Sequence, residues 1–563
     1  MQFYDIDTAG VQSEIESLSK RLRKLIDSAV NYHSLIQPGR SLHYKFYMGE
    51  KWQYPRLTDT STLNGALTEG ADLKPFLEFT AYSTVEPRST YSPHYFSGDE
   101  QIIDRNIRYI LLTPDDATST DVEAHSPARR LSRIYGKLEI HTPVLLDTAR
   151  EVMRRMGEIS AHKMTRPVTV PSVENINNQG HVHHPWVEVK PGTPNEDAPQ
   201  AVIIAMHWLQ AGGAETWATE TVDLAHQAGF IPIIITDRDS HQPWLTRPEF
   251  DDALVLTLTH PMQERVGDAT VLRALFEQFS IRGVLVHHCQ WVYDRLWWIK
   301  KYFPETPIMD SLHIVEYKFG GGYPRESLRY DQWIDVHHVI SPQLEGWLTQ
   351  THHVDKEKVV VAPLVDLTAN GKNAVFQKRH NDTTLTVAFV GRLARQKRLE
   401  AFMLLAHYMN KRYHGMFQFI MHGTGSMDIV RDVLAQNLGV KDCIEFRGDD
   451  YSVDETYKDS DVLVVSSVNE GITLTTMEAL SAGIPVISTN VGSQYTLIPS
   501  QGLTRRSTRQ FVRDAARSLE HIREEESERQ ILWEVEYSRL KEFSNLQTAN
   551  TFVSNLLKEW KNK

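Results

Sequence analysis

At 563 residues the chain exceeds what one hydrophobic core can hold, and about 100–200 residues per domain predicts three or four units. Hydrophobic residues at 41% and charged residues at 23% exclude a wholly disordered or fibrous chain, and a net charge of −12 disfavours bulk binding to nucleic acid. Two cysteines, Cys289 and Cys443, in no C-x-x-C pair, exclude a disulfide framework and a thiolate zinc site and fit a reducing cytoplasm.

The start MQFYDIDTAG lacks the basic and apolar regions of a signal peptide, and no apolar run approaches the ~18 residues that span a bilayer. The expected location is cytoplasmic, with any membrane association peripheral and at the inner face. From residue 1 to 170 apolar residues fall at helical spacing, which predicts a mainly helical extension for acceptor recognition or assembly. Val11, Ile15, Leu18, Leu22 and Leu25 form a heptad stripe on one predicted helix. Two heptads are few for a coiled coil, so packing within the chain is favoured, with self-association through this region left open. A second helix after Pro143 carries Val144, Leu145, Thr148, Val152, Met156 and Ile159 down one side and reads as scaffold. Residues 171–200 are rich in Pro, Asn and Gly and read as a linker. Within it His181, His183 and His184 lack a carboxylate or cysteine at ligand spacing, so a solvated loop is favoured over a metal site.

From residue 201 short apolar runs alternate with helical patterns. AVIIAMHWL, IPIIITD, ALVLTL, GVLVHH and HHVIS form one series, and LTVAFVG, FQFIMHG, CIEFRG, DVLVVSS and IPVISTN another. Strands alternating with helices imply right-handed crossovers, hence two doubly wound parallel-sheet domains, at 201–365 and 366–540. Ligands bind at the carboxyl ends of such strands, so function is expected in the cleft between the domains.

Four strand-to-helix turns could carry chemistry. LQAGGAETW allows close backbone approach at Gly213 and opens a helix whose N–H groups suit an anion. FVGRLARQKRLEAF places Arg392 and Lys397 where a diphosphate would need cations. HGTGSM turns at Gly423. NEGITLTTMEAL puts Glu470 in a loop and Glu478 in the following helix, with the N–H groups near Gly471, Ile472, Thr473 and Leu474 between them. Phosphate-binding N–H groups flanked by two hydroxyl-accepting acids fit a nucleotide sugar. Each feature alone also has a bland reading: a tight turn, a solvated basic cluster, or a helix-terminal acid.

Over roughly 201–560 the chain resembles the retaining GT-B glycosyltransferases of glycosyltransferase family 4, most specifically in DVLVVSSVNEGITLTTMEALSAGIPVISTNVGS. The resemblance implies the GT-B fold, two Rossmann-like domains facing across a cleft. It implies that Glu470 meets the donor sugar, Glu478 the ribose, and Arg392 and Lys397 the diphosphate, with Gly213 closing over it. It also implies a cleft histidine, His288 with His287 as the alternative, a lining segment at His313, and a C-terminal helix, 541–563, crossing back to the first domain. No metal or other cofactor is expected beyond the nucleoside-diphosphate sugar. The expected acceptor is a glycan, lipid-linked or protein hydroxyl, and the expected reaction is retaining, metal-independent sugar transfer. The alternatives are a GT-B phosphorylase or sugar-nucleotide epimerase, or a non-catalytic partner of another transferase. Thr473 and Ser493 replace glycines common in the family; Thr473 is expected to narrow the phosphate site and Ser493 to alter a loop near the acceptor. The aromatics of HCQWVYDRLWW, Trp297 and Trp298 among them, and the loop KFGGGYPRESLRY read either as an acceptor wall or as core.

Overall fold

The computed structural model describes residues 1–6, 9–58, 74–86, 106–119, 121–122, 130–169, 191–259, 266–317, 320–364, 373–379, 381 and 383–563. The histidines at 181, 183 and 184 and residues 171–190 of the predicted linker lie outside these residues.

Two all-parallel sheets dominate. The first has seven strands in the order β11-β10-β9-β8-β5-β6-β7: β5 Gln200–Met206, β6 Ile231–Thr236, β7 Leu254–Thr257, β8 Ser280–His287, β9 Ile308–Leu312, β10 Val336–Val339 and β11 Val359–Val361. The second has six in the order β14-β13-β12-β15-β16-β17: β12 Leu385–Val390, β13 Phe417–His422, β14 Ile444–Arg447, β15 Val462–Val465, β16 Val486–Thr489 and β17 Leu503–Thr504. Their Val, Ile and Leu side chains are buried because helices cover both faces, which makes a parallel strand continuously apolar. These two Rossmann-like domains face each other, and the molecule has the GT-B fold. Helix Ala549–Asn562 returns to the first domain, where Asn550 Nδ2 donates to Glu220 at 2.8 Å and Lys561 Nζ to the Gly229 carbonyl at 2.7 Å.

The extension has helices, but they surround a four-stranded sheet with order β1-β3-β2-β4, formed by β1 Tyr4–Ile6, β2 Ser41–Met48, β3 Leu77–Ser83 and β4 Ile107–Leu112. It docks on the first domain through Ser28 Oγ, 2.9 Å from Thr257 Oγ1, and through the Leu57 N–H, which donates to Thr259 Oγ1 at 2.8 Å.

Two expectations need correction, and between the two readings of the tryptophans the core one holds. The Val11–Leu25 stripe is not on one helix: the chain breaks between Ala9–Ser17 and Lys20–Ile36, because the Ser19 side chain accepts from the Leu22 N–H and caps the second. Trp291, Trp297 and Trp298 are buried beneath the first sheet with Phe276 and Phe303 and form no acceptor wall. The apolar stripe after Pro143 does not pack inward: on helix Pro143–Ala161 its residues Leu145, Val152, Met156 and Ile159 face outward.

Candidate active site

Strand order reverses between β5 and β8 in the first sheet and between β12 and β15 in the second. At such a switch point neighbouring crossovers leave in opposite directions and open a crevice at the strands' carboxyl ends. The loops leaving those four strands, together with segments after β9 and before β10, line a cavity of about 900 Å³ between the domains. It brings together His207, Gly213, His288 and His313 from one side and Arg392, Lys397, Glu470, Gly471, Ile472, Thr473 and Leu474 from the other.

On the donor side Lys397 Nζ lies 2.8 Å from Glu470 Oε1, a pair largely shielded from water. Arg392 lines the same cavity, and its side chain makes no ion pair or hydrogen bond among the described residues, so its guanidinium is available to an anion. Helix Leu474–Ser481 starts beside them, and its first N–H groups have no acceptor within the helix. Two cations and a helix N-terminus converging on one space suit a diphosphate.

Thr473 lines this space without narrowing it through a free hydroxyl. Its Oγ1 accepts from Gln494 Nε2 at 2.9 Å and contacts Thr476 Oγ1, so its polar group is engaged on the protein side. Ser493 joins the domains: its N–H donates to the Gly471 carbonyl at 2.7 Å and its Oγ accepts from the Gln343 N–H at 3.2 Å. Gly471 is the tightest crossing, since a Cβ there would lie 2.1 Å from the His313 carbonyl oxygen. Asn469 Nδ2 also donates across the cleft, to the Val315 carbonyl at 2.8 Å. The lobes are therefore in contact around the cavity.

Three of the residues singled out from the sequence do not line it. His287 points into the first domain, with Nε2 3.1 Å from Thr221 Oγ1. Gly423 lies behind the Arg392 turn, its N–H donating to the Arg447 carbonyl at 2.9 Å. Glu478 accepts from the Tyr457 hydroxyl at 2.7 Å, and burial raises its carboxyl's affinity for a proton.

His288 has the most telling geometry. It follows β8 with φ of 58°, a left-handed conformation that costs a non-glycine residue energy and concentrates at functional positions. Its ring stacks on Tyr323 at 4.7 Å and meets His313 edge-on at 5.2 Å. Burial, then the neighbouring His207 and His287, hold its pKa well below the ordinary value, so the imidazole is neutral at pH 7. Burial does the same for His313, whose Nε2 lies 3.2 Å from Ser311 Oγ.

Sequence reasoning missed the His207–Glu215 pair. His207 Nε2 sits 2.9 Å from Glu215 Oε1, which also accepts from Trp208 Nε1 at 2.8 Å. Burial pushes the Glu215 carboxyl up, but the His207 and Trp208 hydrogen bonds outweigh it and leave its pKa below the ordinary value. Arg238, Tyr323, Glu316 and Glu326 complete this side of the cavity. The available signal is positional: His207 directly follows β5 as His288 directly follows β8, and both strands border the switch point.

Residues 371–531, which hold the Arg392, Lys397 and Glu470 loops, match the family model described as glycosyl transferases group 1. An uncharacterized glycosyltransferase of Methanocaldococcus jannaschii is 30% identical over 119 residues, 21% of this chain and 30% of that protein, so the match spans less than a third of the relative. Among solved structures, Anabaena HepE in complex with UDP is 14% identical with a TM-score of 0.48, covering 64% of this chain and 98% of its own. Sucrose-phosphate synthase of Thermosynechococcus elongatus is 18% identical with a TM-score of 0.48, covering 65% and 98%. The lipopolysaccharide outer core galactosyltransferase WaaB is 15% identical with a TM-score of 0.46, covering 65% and 100%. No described helix is long and apolar enough to cross a membrane.

Proposed function

We propose that this chain is a retaining glycosyltransferase that moves a sugar from a nucleoside-diphosphate sugar to an acceptor hydroxyl on a glycan, cell-surface polymer or other glycoconjugate. The observation that carries the reading is the donor corner of the cavity. There the unpaired Arg392, the Lys397–Glu470 pair at 2.8 Å and the start of helix Leu474–Ser481 converge. Without donor, Lys397 and Glu470 neutralise one another. A diphosphate between Arg392 and Lys397 draws the ammonium toward itself and frees Glu470 to accept from the sugar's hydroxyls. As the bond from the anomeric carbon to the diphosphate oxygen breaks, those cations and the helix N–H groups stabilise the departing charge, so no divalent metal is required. The acceptor oxygen bonds the anomeric carbon on the same face, and its proton passes to the leaving phosphate oxygen. Glu470 steadies the sugar as positive charge develops, while neutral His288, held by Tyr323, hydrogen-bonds sugar or acceptor. Contact between the lobes excludes water that would hydrolyse the donor.

The test is a screen of nucleotide sugars for thermal stabilisation and hydrolysis, then acceptor trials with the best donor, on the wild type and Glu470→Ala. Expected results are transfer with retained configuration, at least ~100-fold loss in the variant, and full activity after chelation. Donor conversion without any acceptor would point to an epimerase instead, and absence of nucleotide binding to a non-catalytic partner. Activity lost on chelation and restored by magnesium would remove the metal-independent step.

A further inference from the structure

Helix Pro143–Ala161 is built inside out. An amphipathic helix on a globular surface normally turns its apolar stripe inward and its charges to water. Here Asp147, Arg150, Glu151, Arg154 and Glu158 face the protein. Asp147 accepts from the Thr508 N–H at 3.2 Å and lies 3.6 Å from buried Arg398, while Arg150 reaches Glu400 at 3.3 Å. Glu151 and Glu158 pair with Arg506 at 3.1 and 2.8 Å. These bonds fix the rotation of the helix, and the opposite face is left bare. Leu145, Val152, Met153, Met156 and Ile159, joined by Met164 just beyond the helix, are each between 57% and 67% exposed.

The rim of this stripe indicates what it fits. Lys137, Lys163 and Arg166 are exposed, as is Arg155, which pairs with Glu151 at 3.2 Å, whereas Glu139 and Asp147 are buried and Glu151 and Glu158 also pair inward with Arg506. In a chain of net charge −12, every exposed charged side chain between residues 136 and 169 is a cation. A second copy of the same face would bring like charges together, whereas an anionic lipid surface is complementary in both respects: headgroups meet the cations, and the acyl boundary takes the Leu, Val, Met and Ile side chains.

We propose that the outer face of helix Pro143–Ala161 docks the protein on anionic bilayers, the helix lying in the interface plane. The proposal stands apart from the reading of the cleft, since vesicle binding needs neither donor nor acceptor. The test is co-sedimentation of the full chain with phosphatidylglycerol vesicles and with phosphatidylcholine vesicles at low and high salt. Wild-type protein is expected to pellet with the anionic vesicles and to be released in part by salt. Met156→Glu with Ile159→Glu should weaken binding by about tenfold or more, and Lys163→Glu with Arg166→Glu should abolish the preference for anionic lipid. Both variants alter solvent-facing side chains, so circular dichroism and the thermal midpoint should match wild type. Wild-type protein left in the supernatant, or charge variants that bind as it does, would overturn the proposal. So would a concentration-dependent dimer dispersed by Met156→Glu, which would make the face a contact between copies.

Discussion

Arg392 and Lys397 illustrate how two cations in one loop carry different risks. Lys397 sits against Glu470, a mostly buried carboxylate, so its removal leaves a charge unpaired and acts on stability and binding together. Arg392 is exposed and has no partner among the described residues, so its removal should act on the ligand alone. Arg392→Ala is expected to leave the thermal midpoint within about 0.5 kcal/mol of wild-type stability and to raise the donor KM by roughly tenfold. Melting curves with and without nucleotide, together with steady-state kinetics, check both halves. These residues could be singled out because their strand-to-helix turns are local. The His207–Glu215 pair was harder to read: which side chains the turn after β5 brings together depends on its path, and only the fold shows it.

At the scale of elements, the parallel strands were legible because burial on both faces makes them continuous apolar runs, as in Val202–Met206 and Leu385–Val390. The extension's sheet was not. In β2 the side chains of Leu42, Tyr44 and Phe46 alternate inward with His43 and Lys45, a period of two that is easily lost beside the stronger helical stripes around it. Helix Pro143–Ala161 misled for another reason: an apolar stripe says which residues share a face, and only the Asp147–Arg398 and Arg506 contacts say which way that face turns. The same helix bridges the domains. It meets the second domain through Asp147, and the first through Ser160 Oγ, which accepts from Arg325 at 3.3 Å, and the Ala161 carbonyl, 2.9 Å from His352 Nε2. Asp147→Ala leaves the Arg398 guanidinium buried and short of a counter-charge, and should cost about 3–5 kcal/mol in urea unfolding. The loop after β15 makes the other crossing. Because a Cβ at Gly471 would meet the His313 carbonyl oxygen at 2.1 Å, Gly471→Ala should force the lobes apart. The expected result is a larger radius of gyration by solution scattering and a loss of roughly 100-fold in kcat/KM, since about 1 Å of misplacement can cost that much.

For the molecule as a whole, the buried histidines divide the two α/β domains unequally in acid. His287, His288, His313 and His338 all lie in the first domain, fully buried, with pKa values lowered chiefly by burial; that of His338 falls to about 4. Their ordinary value is 6.5. Unfolding returns them to it, so between pH 6.5 and the lowered folded values the unfolded chain binds more protons and stability falls as pH falls. Each such imidazole contributes up to about 1.4 kcal/mol of loss per pH unit below that point. His337 runs the other way. Burial pushes it down, but Asp310 and Asp331 more than compensate and raise it to about 9, so the stability it adds is complete below pH 6.5 and is lost as pH rises through 9. It therefore offers no protection that grows with acid in the window where its neighbours fail. In the second domain His422 is the histidine with a lowered pKa among the described residues, by burial and then Arg447, with Asp449 and Asp450 opposing the shift. Calorimetry at pH 7.5, 6.5 and 5.5 should show the first domain's transition moving down steeply below pH 6.5 while the second domain's moves little. In the proposed mechanism His288 acts as a neutral imidazole, so sugar transfer should persist well below pH 6.5 and be lost through unfolding of its domain. A transfer rate that titrates near pH 6.5 at constant folded fraction would show instead that a group other than His288 governs the acid limb.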